Sequence, residues 1–165
     1  MENDRRPFYT QPEARPQAAS ATHRDINLGF ESPCRLIEFP KITDPRGNLT
    51  VAEAWKEVPF EIKRAYWTYD VPGGESRGGH AHKRLQQLLI AVSGSFSVTL
   101  DDGRRRQTFL LNHPWQGLLI TPGVWRTLND FSTGAVCLVL ASDFFDEEDY
   151  IREYDEYLKY VACSR

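Results

Sequence analysis

The chain has 165 residues, 41% hydrophobic and 26% charged, the proportions of one soluble globular domain. Twenty lysines and arginines against 23 acidic residues leave a net charge of -3, which argues against bulk electrostatic binding of nucleic acid. No apolar run approaches the length of a membrane-spanning helix, and the polar start Met1-Glu2-Asn3-Asp4 predicts no secretory signal.

In chain order, residues 1–32 mix prolines and scattered charges without apolar periodicity, the composition of a disordered N-terminal tail. His23 falls in this tail and reads as a solvated side chain. Cys34, Cys137 and Cys163 leave an odd cysteine and show no metal-type spacing. That pattern suits a reducing, cytoplasmic setting.

From Cys34 onward, short β-like runs alternate with turn residues. Leu36–Phe39, Leu49–Ala54 and Ile62–Tyr69 are strand candidates, with a turn running from Pro40 to Gly47 between the first two. After the Val71-Pro72-Gly73-Gly74 break come Arg77–Lys83, Gln87–Val92 and Phe96–Leu100, the last two joined by a Ser93-Gly94-Ser95 hairpin. Asp101-Asp102-Gly103 marks another hairpin, through the Asp-Gly pair that favours positive φ. Gln107–Leu111, Gly117–Thr121, Trp125–Asn129 and Ala135–Ala141 complete the series. Short strands at this spacing, without alternating helices, predict an all-β sandwich or barrel over residues 33–165. At the end, Tyr150, Ile151, Tyr154, Tyr157, Leu158 and Val161 follow a helical period. Asp146, Glu147, Glu148 and Asp149 sit before them, where a helix dipole favours negative charge. A short C-terminal helix packing its tyrosines on the sheet is expected.

The stretch with most chemical content is Arg77-Gly78-Gly79-His80-Ala81-His82-Lys83. On a strand, residues i and i+2 face the same side, so both imidazoles look into one space. Paired histidines can ligate a metal, transfer protons, or be satisfied by core hydrogen bonds. In a β-barrel this pattern resembles the cupins, whose first motif continues with a Glu and a Gly, here Gln86 and Gly94. The cupins' second motif places a histidine after Pro-x-Gly, and Trp125 occupies that slot by counting. With two of four ligand positions lost to an amide and an indole, no metal is expected. Arg77, Tyr66 and Tyr69 are polar groups that neighbouring strands would bring to the same cavity.

The resemblance then narrows. Asp44-Pro45-Arg46-Gly47-Asn48-Leu49, Pro59 to Tyr66, Arg77 to Lys83, Asp130-Phe131-Ser132, Val139 to Asp143 and Asp149 to Tyr154 occur together. Over Arg35–Val161 they resemble the WxcM-like, FdtA/QdtA-type sugar-nucleotide 3,4-ketoisomerases, metal-free members of the cupin jelly-roll fold. One departure is Arg126, which stands where relatives carry a histidine. The resemblance implies conversion of dTDP-4-keto-6-deoxyglucose to its 3-keto isomer through an enediol, in cytoplasmic deoxysugar biosynthesis, without a cofactor. His80, His82, Tyr66 and Arg77 are then the catalytic candidates. Arg64, Tyr69, Lys83, Gln86, Trp125 and Arg126 are candidates for binding the substrate. His82 lies nearer the apolar run after it, which predicts it as the carbon base, with His80 moving the proton between oxygens. Tyr66 and Arg77 are candidates to stabilise the enolate, and Arg77 could equally hold the diphosphate. A homodimer exchanging a strand near Leu36–Phe39 is expected from the resemblance and from the need to cover sheet edges. A 3,5-epimerase of the same substrate and a non-catalytic sugar-nucleotide-binding protein are the competing readings.

Overall fold

The computed structural model describes residues 26–27 and 33–163. The expected tail over residues 1–32, with His23, lies outside them except for Ile26–Asn27. Those two residues form β1, paired antiparallel with β2, Arg35–Glu38. The later strands are β3 Lys41–Asp44, β4 Gly47–Thr50, β5 Arg64–Thr68, β6 Arg77–His82, β7 Gln87–Ser93 and β8 Phe96–Asp101. They continue with β9 Arg106–Leu111, β10 Gln116–Ile120, β11 Trp125–Asn129, β12 Val136–Ala141 and β13 Tyr150–Ile151, before helix α1, Tyr154–Cys163.

One sheet runs β1-β2-β10-β7-β12-β5 and the other β13-β6-β11-β8-β9, with every pairing in them antiparallel. This is the all-β sandwich that the strand spacing predicts and the jelly roll that the resemblance implies, with the short C-terminal helix expected from periodicity. Alternation explains the inward faces. Phe96, Val98 and Leu100 on β8 meet Leu89, Ala91, Leu118 and Val139 from the other sheet. Strand β7 is buried on both faces, because Leu88 and Ile90 form a second cluster with Ile37, Leu119, Leu140, Val58 and Phe60. The loop preceding β5 thus caps the outer face of the six-stranded sheet.

Three expectations change. The stretch read as a turn from Pro40 contains β3, and only Pro45-Arg46 turns it into β4. The strand expected over Leu49–Ala54 ends at Thr50. The C-terminal helix starts at Tyr154, because Tyr150 and Ile151 pair with His82 and Ala81 along the free edge of β6. A strand edge offers hydrogen bonds that two residues of helical period cannot resist. Leu158 is also exposed, so the buried side of α1 is Tyr157, flanked by Tyr154, Tyr160 and Val161. Tyr157 donates its hydroxyl to the Asp101 carbonyl at 2.6 Å, fixing the helix to the end of β8. All three cysteines are free thiols, with Cys34 and Cys137 buried. Among the described residues no helix is long and apolar enough to cross a membrane.

Candidate active site

At one end of the sandwich the two sheets hold open a cavity of about 420 Å³. Strand β5 supplies Arg64, Tyr66 and Thr68, β6 supplies Arg77 and His80, β7 supplies Gln87, and β11 supplies Arg126. Tyr150, Arg152 and Phe145 close the side nearest the C-terminal segment. Four arginines and no carboxylate line the space, which is therefore electropositive.

The glycines before His80 set its ring. Gly78 and Gly79 both adopt positive φ, +82° and +63°, which few other residues tolerate. This bend brings the Gly78 carbonyl to 2.9 Å from His80 Nδ1. A carbonyl only accepts, so Nδ1 carries the proton and Nε2 keeps its lone pair. Burial, with the nearby Arg126 cation, lowers the His80 pKa from 6.5 to about 3, so the ring is neutral at physiological pH.

His82 points to the same side but does not line the cavity. It is 2% exposed and sits behind His80, the two rings meeting edge-to-face at 5.0 Å between centroids. Its Nδ1 donates to Asp149 Oδ2 at 2.9 Å, and Asp149 also accepts the backbone N–H groups of Arg84 and Leu85. The carboxylate fixes the His82 tautomer and leaves a buried Nε2 with no hydrogen-bond partner. Desolvation, followed by Arg126 and His80, lowers its pKa to about 2. Tyr150 packs against both imidazoles, at 4.9 and 4.3 Å. Residues 149–150, read from sequence as a helix start, are in fact the support of the histidine pair.

Arg126 is 3% exposed and lies across the cavity from Tyr66 with Gln87 between them. Its guanidinium donates to the His80 carbonyl at 3.1 Å and to Gln87 Oε1. Gln87 Nε2 donates to the Tyr66 hydroxyl at 2.7 Å. Burial lowers the Arg126 pKa to about 10, so it remains a cation. Arg64 stacks near Tyr66 and Phe145, 5.3 and 5.7 Å from the ring centroids. Arg152 holds Glu147 through two hydrogen bonds and lies over Tyr150.

Of the residues singled out from sequence, His80, Tyr66, Arg77, Arg64 and Arg126 share the cavity. Four do not. Tyr69 is 57% exposed and lines a separate shallow groove with Trp67, because strand alternation has already turned Arg64, Tyr66 and Thr68 inward. Lys83 donates outward to the Glu148 carbonyl at 2.7 Å. The Gln86 backbone N–H donates to the Ser142 hydroxyl and its carbonyl accepts from the Ser142 N–H, and Trp125 packs under α1 against Tyr154 and Tyr157. The inward residues at those two places are Gln87 and Arg126, each one position further on. A one-residue offset on a strand exchanges its faces. Among the described residues no three His, Cys, Asp or Glu side chains cluster as metal ligands would.

Comparison with known proteins follows the same outline. Residues 32–162 match the family described as FdtA: WxcM-like, C-terminal. The chain belongs to that family. It is 49% identical over 128 residues to a TDP-4-oxo-6-deoxy-alpha-D-glucose-3,4-oxoisomerase of Aneurinibacillus thermoaerophilus, covering 78% of this chain and 92% of the relative. A 3,4-ketoisomerase structure from Helicobacter canadensis superimposes with TM-score 0.76 at 47% identity, covering 78% of this chain and 97% of that one. The ketoisomerase QdtA of Thermoanaerobacterium thermosaccharolyticum, solved as a histidine-to-asparagine variant with TDP-4-keto-6-deoxyglucose, matches with TM-score 0.77 at 42% identity. That match covers 79% of this chain and 94% of QdtA.

Proposed function

We propose that this protein is a TDP-4-keto-6-deoxyglucose 3,4-ketoisomerase, working without metal or cofactor on a sugar nucleotide in the cytoplasm. The observation that carries the reading is His80: a neutral imidazole with a free Nε2, in an arginine-lined cavity, facing a space shared with Tyr66. Moving a ketone from C4 to C3 requires one base for two carbons and a proton exchanged between two oxygens. His80 removes the C3 proton, the C4 carbonyl takes up a proton as the enediol forms, O3 then gives up its proton, and C4 receives one from His80. Atoms and electrons balance without an external oxidant. Such a positioned base contributes on the order of 10²–10⁴-fold.

The division of labour proposed is the reverse of the one expected from strand position. The deep end near His82 is filled by Asp149 and Tyr150, so His80 rather than His82 reaches the substrate. His82, fixed by Asp149, backs the His80 ring. Arg77, Arg64 and Arg152 supply cations at the mouth for the diphosphate, whose oxygens pair with guanidinium.

The working form proposed is a homodimer. Strand β5 is an open edge carrying Trp67, 61% exposed, and the β3–β4 hairpin presents Ile42 and Leu49 to solvent. A monomeric mass in light scattering would refute the dimer. For the activity, incubation with TDP-4-keto-6-deoxyglucose in D₂O and NMR of the product is decisive. A 3-keto sugar with deuterium at C4 is expected. Deuterium at C5 instead would indicate a 3,5-epimerase, and unchanged substrate a binding protein.

A further inference from the structure

Gln87 lies between Arg126 and Tyr66, and its orientation has only one solution. A guanidinium carries donors and no acceptor, so the amide face bonded to Arg126 is the oxygen. The NH₂ end therefore faces Tyr66, and the 2.7 Å bond runs from Gln87 Nε2 to the phenol oxygen. The Tyr66 hydroxyl is an acceptor in that bond, so its own proton is left for another acceptor. Tyr66 lines the cavity, where the proposed reaction places a keto oxygen.

We infer that Gln87, held by Arg126, is a positioning residue that keeps the Tyr66 hydroxyl a proton donor toward the bound sugar. This rests on the ketoisomerase reading. Tyr66 gives its proton to the C4 oxygen while the C3–H bond breaks to His80, leaving a phenolate. The O3 hydroxyl then returns a proton to that phenolate as the C3 carbonyl forms, restoring Tyr66. Between the two transfers the phenolate is held by the Gln87 N–H and by the nearby Arg126 cation. Burial raises the Tyr66 pKa and Arg126 opposes that rise, so the network moderates what burial alone would impose. Sequence reasoning chose Gln86 by counting from His82. It missed Gln87 because every residue from Leu88 to Ala91 is apolar and gives no inward-outward alternation.

Gln87→Glu tests the direction of the bond with almost no change of shape. A carboxylate keeps its pairing with Arg126 but accepts at both ends, so the Tyr66 proton turns toward Glu and away from the sugar. Turnover should fall on the order of 10²–10³-fold, the usual loss when an oxyanion donor is removed. KM and TDP affinity should stay near wild type. The Tyr66 phenol should titrate at higher pH than in the wild type, read against a Tyr66→Phe background. A purely structural role for Gln87 would not produce that split between kcat and KM or the shifted titration. Gln87→Met, which removes the amide without introducing charge, should lose less turnover than Gln87→Glu. A Gln87→Glu protein that binds TDP and retains kcat, or whose Tyr66 titrates as in wild type, overturns the inference. So does Gln87→Met at full kcat. Failure of the wild-type protein to convert the substrate would overturn the ketoisomerase reading instead, and the titration would still decide the bond direction.

Discussion

The two ends of the sandwich interior are built to opposite purposes. Toward the β8–β9 end, Phe96, Val98, Leu111 and Leu118 fill the space between the sheets completely. Toward the other, Tyr66, His80, Gln87 and Arg126 leave it open. Each polar residue there is tied to a neighbour: His80 to the Gly78 carbonyl, Gln87 to Tyr66, and Arg126 to Gln87 and the His80 carbonyl. Buried polar groups are tolerated when their hydrogen bonds are made, and such networks give rigid geometry. Stability thus resides mainly at one end and chemistry at the other.

The separation can be tested from both sides. Phe96→Ala, in the filled end, should cost about 3–5 kcal/mol of stability by denaturant unfolding, since Phe96 is fully buried and stacked on Phe131. Its TDP affinity at temperatures where it stays folded should remain near wild type. A large change in affinity with little change in stability would break the comparison.

A second effect should appear with pH, from the open end. His80 and His82 have folded pKa values of about 3 and about 2, below the ordinary 6.5. Below pH 6.5 the unfolded chain therefore binds protons that the folded chain refuses. Stability is fully present above that value and declines as pH falls toward 3, by about 1.4 kcal/mol per pH unit for each histidine. His82→Asn should make the decline shallower when unfolding is followed at pH 7, 6 and 5. An unchanged slope would mean that His82 is not buried in its neutral form. The smallest effect belongs to Lys83, which points away from the cavity. Lys83→Ala should leave kcat/KM within about twofold, as surface changes away from such features generally do.

Much of this was legible in the sequence, and the failures share a cause. The all-β pattern, the helix near the C-terminus and the facing pair His80 and His82 all follow from periodicity, whereas β1, β3 and β13 do not. Positions counted across turns did not survive. Trp125 and Gln86 were each placed one residue from the true inward position, and β11 carries a register shift between Arg126 and Thr127. Asp149 and Tyr150 look like a helix start because their acidic and aromatic pattern suits one. Their role depends on pairing with β6, a contact between residues 67 or more positions apart that no local pattern reveals. Phe145 and Arg152, on either side of β13, were missed for the same reason.

The central claim is that the histidine lining the cavity, not the one behind it, handles the carbon-bound proton. It is tested most directly by following loss of the C3 proton of TDP-4-keto-6-deoxyglucose to D₂O with His80→Asn and His82→Asn proteins, alongside their affinity for TDP. The account predicts that His80→Asn binds TDP normally but exchanges the C3 proton on the order of 10²–10⁴-fold more slowly. It predicts that His82→Asn retains measurable exchange, because Nε2 of His80 is still present. Normal C3 exchange in His80→Asn, with exchange abolished in His82→Asn, would contradict it.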